Sequence, residues 1–127
     1  MARPERRARA QFDADAWDED LGRATAAGRQ AADAARREYE LSGVPVAQLR
    51  RIAEHGRDGT ELPDCAKVYL PPPAGRFGMV FMLRLDADRR PVLAFLAFGV
   101  RHHPGGSQRP TVYQLAHQRL HGAPPRR

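Results

Sequence analysis

The chain of 127 residues carries 21 lysines and arginines against 15 aspartates and glutamates, which gives a formal net charge of +6. An apolar fraction of 42% excludes a wholly disordered chain, and the length fits one domain. The single cysteine, Cys65, excludes a disulfide framework and a two-thiolate zinc site, and no apolar run reaches the roughly 18 residues that span a bilayer, so we expect a cytoplasmic protein without a membrane partner.

The domain is predicted to lie between two short ends. Residues 1–11 mix arginine, alanine and proline without periodicity, which predicts a disordered basic arm. The domain itself covers residues 12–122, and residues 123–127 form a tail.

The first half of the domain is predicted to be helical. Small and apolar residues recur every three or four positions between Trp17 and Tyr39, which predicts one helix over residues 13–41. Pro45 suits the first position of a second, shorter helix, which ends at the Gly-rich stretch that begins with His55.

The second half is predicted to form a sheet, because the apolar period shortens towards two. A short strand covers residues 65–70, and a longer strand over 77–86 is apolar on both faces and therefore central. The apolar run over 92–99 completes an antiparallel hairpin, and Thr111 caps a C-terminal helix. The fold class is α+β, with two N-terminal helices packed on a small antiparallel sheet and a C-terminal helix.

The charge is divided unevenly along the chain. Residues 1–64 carry 11 basic and 13 acidic side chains, whereas residues 65–127 carry 10 basic and two acidic ones. The second half therefore has an excess of positive charge that attracts phosphate, and nucleic acid is the most abundant polyanion it would meet. Coding bias towards arginine explains part of this excess, since lysine occurs once, at position 67.

Three short motifs stand at the ends of the predicted sheet elements. A Gly-Arg-Phe sequence at 75–77 opens a strand, and an Ala-Phe-Gly-Val-Arg sequence at 97–101 closes the next one. The third is Val-Tyr-Gln-Leu-Ala-His-Gln-Arg-Leu at 112–120. Together they make the chain resemble the bacterial RelE/ParE toxin superfamily of type II toxin-antitoxin systems, over about residues 44–122.

This resemblance implies an endoribonuclease that cuts messenger RNA, usually on the ribosome, without a metal or a small-molecule cofactor. A ribose 2′-hydroxyl attacks the adjacent phosphorus, which requires cations around the phosphate, a proton acceptor and a proton donor. The resemblance also implies a cognate antitoxin protein, whose acidic segment would cover the basic face of the sheet.

The family pattern assigns roles to individual residues. Arg76 and Arg101 would stabilise the phosphate, Tyr113 would transfer a proton or stack on a base, and Lys67 would be an auxiliary cation. Further candidates for contact with nucleic acid are Arg84, His102, His103, Arg109, His117 and Arg119. Arg84 also has a structural interpretation, as the partner of Asp86 or Asp88 at the hairpin end.

The histidines permit a second interpretation, as zinc ligands. His117 and His121 share a helical face, and His102 and His103 lie in the preceding loop. Because no acidic residue or second cysteine accompanies them, we expect solvated histidines and no metal. Cys65 is expected to be a buried thiol rather than a nucleophile.

Two functions from different classes stay open on the sequence. One is the metal-independent endoribonuclease; the other is a non-catalytic basic α+β module that binds nucleic acid or a protein, as an inactive toxin relative or a gyrase-directed one. Convergence of Arg76, Arg101 and Tyr113 in one site favours the enzyme. Displacement of Tyr113 by the long loop before it favours the binding module.

Overall fold

The N-terminal half contains two helices, α1 (Ala14–Leu21) and α2 (Ala26–Ser42), instead of one. The computed structural model describes residues 6–51, 62, 64–72, 74–102 and 109–121. Asp13 caps α1 by accepting a hydrogen bond from the Ala16 amide, and Thr25 caps α2 by accepting one from the Gly28 amide. The prediction of one helix over 13–41 is wrong because Thr25 starts a new helix while the apolar spacing continues through the break.

Four very short strands replace other predicted elements. They are β1 (Arg7–Ala8), β2 (Ala10–Gln11), β3 (Val44–Pro45) and β4 (Arg50–Arg51). The predicted disorder is therefore wrong for residues 7–11, and residues 1–5 of the arm lie outside the described residues. The predicted helix from Pro45 is wrong over 45–51, where a single turn of 3-10 helix separates β3 from β4; its remainder lies outside the described residues, as does the predicted tail.

Gly43 allows the chain to turn from α2 into β3. Its φ of +80° lies in the region that glycine adopts without strain, and a Cβ there would stand 2.7 Å from the Ala8 carbonyl oxygen. β3 can therefore run antiparallel beside β1, with Val44 paired to Ala8.

The main sheet has five strands in the order β2-β7-β6-β5-β4, where β5 is Cys65–Tyr69, β6 is Phe77–Leu85 and β7 is Pro91–Val100. The three long strands, their hairpin and the central position of β6 agree with the prediction. The sheet is mixed rather than wholly antiparallel, because β2 runs parallel to β7. The α+β class is confirmed, with helix α3 (Val112–His121) capped by the Thr111 hydroxyl.

The two faces of the sheet cover separate cores. On one face α1, α2 and Phe12 enclose an aromatic cluster in which Phe12 lies 5.3 to 5.8 Å, between ring centroids, from Trp17, Phe81 and Phe95. On the other face α3 packs on β6 and β7, and the buried residues there include Val80, Ala97, Val112, Leu115 and Ala116. Within the described part of the chain, no helix is both long and apolar enough to cross a membrane.

A bulge in β7 interrupts the alternation of its side chains. Val80 of β6 pairs with Ala97, whereas the next residue, Phe81, pairs with Phe95, so Leu96 is an extra residue. Phe95 and Phe98 consequently both face the aromatic cluster, although they are three positions apart.

A buried ion pair holds this irregular edge of the sheet. The Asp20 carboxylate of α1 accepts hydrogen bonds from the Phe98 amide at 2.8 Å and from both terminal nitrogens of Arg119 at 2.7 Å. Arg119 of α3 also donates to the Leu96 carbonyl oxygen. These contacts join α1, β7 and α3. They also satisfy the Phe98 amide and the Leu96 carbonyl oxygen of β7, which lie beyond the end of the neighbouring strand β2.

Candidate active site

Three cations and two tyrosines meet on the sheet face that α3 covers. Lys67 and Tyr69 are two residues apart on β5 and therefore share a face, and Lys67 pairs with Val80, which belongs to the core under α3. Arg50 is the cross-strand partner of Lys67 on β4. Arg101 follows β7 and Tyr113 lies in the first turn of α3. We refer to Arg50, Lys67, Tyr69, Arg101 and Tyr113 as the cationic cluster.

The Tyr69 ring is the centre of the cationic cluster. The guanidinium carbons of Arg101 and Arg50 lie 4.0 and 4.5 Å from its ring centroid, and the Lys67 ammonium lies 5.4 Å from it. All three distances are within the range of cation-π attraction. The same ammonium lies 5.1 Å from the Tyr113 ring centroid, so Lys67 stands beside both tyrosines.

Gly78 allows Arg101 to reach Tyr69 across the central strand. Gly78 of β6 is paired with Tyr69 on one side and with Gly99 on the other. A Cβ on Gly78 would lie 3.1 Å from the Val68 carbonyl oxygen and 3.2 Å from Cγ of Arg101. The absence of a side chain at Gly78 therefore leaves the space that the Arg101 side chain occupies.

Backbone contacts fix the Arg101 guanidinium. Its Nε and Nη2 atoms donate to the Gly75 carbonyl oxygen at 3.1 and 2.8 Å, and the Arg101 amide donates to the Arg76 carbonyl oxygen at 2.8 Å. The guanidinium has five N–H donors, so others stay available to a ligand.

The two tyrosines have pKa values displaced in opposite directions. Partial burial raises the pKa of Tyr69, but the polar interaction of its hydroxyl with Lys67 and the charges of Lys67 and Arg101 outweigh burial and bring it below its usual value. Burial dominates at Tyr113 and raises its pKa, despite the opposing charge of Lys67. Tyr69 therefore favours the phenolate more than Tyr113 does.

The carboxylates that the structure describes do not neutralise the positive charge of the cluster. Among the described residues, no carboxylate forms an ion pair with Arg50, Lys67 or Arg101. Cationic donors held around an aromatic ring in this way form a site for an anion with an attached planar group, such as a phosphate and its base.

The structure brings three of the sequence candidates together and separates others from them. Lys67, Arg101 and Tyr113 lie in the cationic cluster. The Arg76 side chain is exposed and has no hydrogen bond or ion pair with the described residues; it adjoins the cluster through its carbonyl oxygen, which holds the Arg101 amide.

Arg84 lies at the opposite end of the sheet. It is six residues from Gly78 along β6, about 20 Å at the usual rise of a strand. Its Nη2 atom donates to the Gln11 side chain at 3.3 Å, and Asp86, one of its two expected partners, pairs with Arg9 instead. The ion pair predicted for Arg84 is therefore absent among the described residues.

Arg119 makes structural contacts in this fold, and its assignment to nucleic-acid contact stays a prediction. Its guanidinium is bound to Asp20 and to the Leu96 carbonyl oxygen. The hydrogen bond and charge of Asp20 raise the pKa of Arg119 further.

The remaining candidates precede α3 in the sequence or belong to it. His102 and Arg109 are exposed, and His103 lies outside the described residues. The His117 and His121 rings are 4.4 Å apart between centroids. No group of three or more potential metal ligands occurs among the residues that the structure describes. Burial raises the pKa of the Cys65 thiol to about 11, which disfavours the nucleophilic thiolate.

Sequence reasoning missed Arg50, Tyr69 and the role of Gly78. The alternation of β5 was a usable signal for Tyr69, because it places this residue on the face of Lys67. No such pattern indicates Arg50, because the sequence predicts a helix for its segment. The role of Gly78 depends on the register of β5, β6 and β7. No local sequence pattern contains that register.

Comparison with known proteins gives one distant structural likeness. No protein-family model matches the sequence, and no curated protein matches it. A solved structure of a double-arginine mutant of the E. coli toxin RelE in the free state aligns with 76% of this chain and 86% of its own length, at 18% identity and a TM-score of 0.39.

Proposed function

We propose that the chain is a toxin-like endoribonuclease that cleaves single-stranded messenger RNA at the cationic cluster without a metal ion. The observation that supports this most directly is the convergence of Lys67, Arg101 and Tyr113 around Tyr69 on one face of the sheet. These groups supply the charge and the proton-transfer capacity that attack by a 2′-hydroxyl requires.

The charges in the cluster suit the transition state of this reaction. The phosphorus becomes five-coordinate and its oxygens gain negative charge, which positioned cations stabilise more strongly than they stabilise the ground state. Arg101 is held by the Gly75 carbonyl oxygen before any substrate binds, so little reorganisation is required of it. We assign it the main contact with the phosphate, with Lys67 and Arg50 beside it.

Exposed side chains near Arg101 extend the RNA-binding surface. Arg76, whose carbonyl oxygen accepts the Arg101 amide, is exposed, as are His102 and Arg109, which follow Arg101 in the chain. We propose that they contact phosphates flanking the cleaved bond, on free or ribosome-bound messenger RNA in the cytoplasm. An antitoxin with an acidic segment would neutralise the same surface, because it would compete with RNA for these side chains.

The test is cleavage of defined RNA by the purified protein in excess EDTA, with and without ribosomes programmed with that RNA. We expect products that end in a 2′,3′-cyclic phosphate and a 5′-hydroxyl, and no cleavage where a 2′-deoxynucleotide replaces the attacking ribose. Arg101→Ala is expected to lower the rate by about 100-fold or more, the scale of losing one preorganised charge contact. Arg84→Ala, at the far end of the sheet, is the matched control and should keep the wild-type rate.

Two results would contradict the proposal. RNA that binds at the cluster, with affinity lost in Arg101→Ala, but stays uncut under both conditions would identify a binding module. Equal cleavage by wild type and Arg101→Ala would place the activity elsewhere or in a contaminant.

A further inference from the structure

We propose that the two tyrosines of the cationic cluster divide the proton transfers, with Tyr69 accepting the proton of the 2′-hydroxyl and Tyr113 donating a proton to the leaving 5′-oxygen. This assignment rests on the proposed ribonuclease function and adds to it a base, Tyr69, that the sequence motifs do not contain.

The geometry around Tyr69 favours a negatively charged phenolate oxygen. Three cations lie within 5.4 Å of its ring centroid, and each of them attracts a phenolate more strongly than it attracts a neutral phenol in the same place. Tyr69 also shares the sheet face with Lys67 and lies under Arg101, the two cations nearest to a bound phosphate in our proposal.

Tyr113 lies in a different environment on the other side of Lys67. It is half-buried at the start of α3, next to the core formed by Val112, Leu115 and Ala116, and one cation contacts its ring. Burial keeps its hydroxyl protonated, and the opposite displacements of the two tyrosine pKa values agree with separate roles as base and acid.

The other side chains of the cluster are poor candidates for the base. Arginine stays protonated in proteins, which excludes Arg50 and Arg101. Lys67 carries the charge that both tyrosines contact, and its loss on deprotonation would remove a phosphate-stabilising cation. No carboxylate pairs with these cations in the described part of the chain.

The proposed step balances without a co-reactant. The Tyr69 phenolate takes the 2′-hydroxyl proton as the 2′-oxygen forms a bond to phosphorus. The bond from phosphorus to the 5′-oxygen breaks, and this oxygen takes the proton of the Tyr113 hydroxyl. The products are a 2′,3′-cyclic phosphate and a 5′-hydroxyl, and proton exchange with water restores both tyrosines.

The experiment compares an ordinary RNA substrate with one that carries sulfur in place of the bridging 5′-oxygen at the cleaved bond. A thiolate leaves without protonation, so the sulfur substrate needs a base but no acid. Tyr69→Phe and Tyr113→Phe remove one hydroxyl each and keep both rings, which preserves the cation contacts.

We expect each variant to cleave the ordinary substrate about 100-fold more slowly than wild type, within the usual range for general acid-base catalysis. On the sulfur substrate Tyr113→Phe should recover to nearly the wild-type rate, whereas Tyr69→Phe should stay about 100-fold slower. A loss of folding would slow both substrates equally in both variants, so recovery of one variant on one substrate separates chemistry from structure.

The failures of the two proposals are distinguishable. If wild type cleaves neither substrate, the ribonuclease function itself fails. If wild type cleaves both and Tyr69→Phe keeps the wild-type rate on the ordinary substrate, the function stands and Tyr69 is not the base. Recovery of Tyr69→Phe on the sulfur substrate would reverse the assignment of acid and base.

Discussion

Gly78 lets two side chains that the proposed site needs, the Arg101 guanidinium and the Tyr69 ring, come into contact. Gly78→Ala would place a methyl group 3.1 Å from the Val68 carbonyl oxygen and 3.2 Å from Cγ of Arg101. The backbone oxygen cannot move without opening the pairing of β5 and β6, so we expect Arg101 to be displaced and RNA cleavage to fall at least about tenfold, the scale of a misplaced catalytic group. The cleavage assay measures this.

Gly99→Ala provides the matched control for Gly78→Ala. The two glycines are cross-strand partners, but a Cβ on Gly99 would meet its nearest neighbour, Leu115, at 3.6 Å, an ordinary contact. We expect cleavage at the wild-type rate. Equal losses in the two variants would show that the pair of strands tolerates no methyl group here, and would remove the special role of Gly78.

Cys65 is predicted to be an unreactive thiol. Burial raises its pKa from 9.0 to about 11, so at pH 8 the native protein should react with iodoacetamide about 100-fold more slowly than the urea-unfolded chain. The folded thiol holds its proton more tightly than the unfolded one, so stability falls as the pH rises from 9.0 towards 11. Native and unfolded rates within about threefold of each other would contradict this prediction.

Individual site residues were predictable from the sequence to different degrees. Arg101 and Tyr113 stand in short motifs at element ends and Lys67 is the single lysine of the chain, and the structure brings these three together. Tyr69 stands in no such motif, and its importance comes from the cations that other strands deliver to it. Cross-strand contacts depend on register, which the local sequence does not encode for β4 and β5.

At the scale of elements, the buried pair of Asp20 and Arg119 is predicted to hold α1 and α3 on the sheet. The Asp20 side chain is fully buried and accepts three hydrogen bonds. Asp20→Ala leaves the Arg119 charge and the Phe98 amide without these acceptors, and we expect a loss of about 3 to 5 kcal/mol in the free energy of unfolding. Urea denaturation measures it.

Glu40→Ala is the control for Asp20→Ala. Glu40 accepts a hydrogen bond from Arg36 at 2.9 Å across a solvent-exposed helix surface. Removal of such a pair costs under about 1 kcal/mol. If Asp20→Ala were as mild as Glu40→Ala, water would be replacing the carboxylate and the pair would not be what holds the edge of β7.

Elements were predictable where their pattern is long. β6, β7 and α3 each contain nine or ten residues, enough for the period and the Thr111 cap to indicate them. Strands β1 to β4 contain two residues each and show no period. Their positions come from tertiary context, as β2 joins the open edge of β7 and Gly43 directs β3 towards β1.

At the scale of the whole molecule, the division of charge along the chain predicts a strong effect of salt on RNA binding. The cationic cluster draws Arg50 from the acidic half and Lys67 and Arg101 from the basic half. Each phosphate contact with single-stranded nucleic acid contributes a slope of about −0.7 in log K against log salt. We expect Arg101→Gln to reduce the slope by about 0.7, measured by fluorescence anisotropy with labelled RNA.

Arg84→Gln removes one positive charge at the far end of the sheet and controls for the net charge. Its slope should equal that of wild type, because a distant exposed charge makes no phosphate contact. Equal changes in both variants would mean that RNA binds through the general positive field of the protein and not at the cluster.

The bulge in β7 decides on which side of the sheet Arg101 emerges. From Phe95 onwards, strict alternation would send residues 97, 99 and 101 towards the aromatic core, and the extra residue Leu96 reverses that parity. Deletion of Leu96 would remove the bulge and leave a regular strand, in which Ala97, Gly99 and Arg101 keep their side of the sheet. Gain or loss of one residue between Ala97 and Arg101 would instead turn the arginine towards the aromatic core, although every side chain of the cationic cluster would still be in the sequence. The same change of length is therefore neutral at the bulge and a change of function a few residues later.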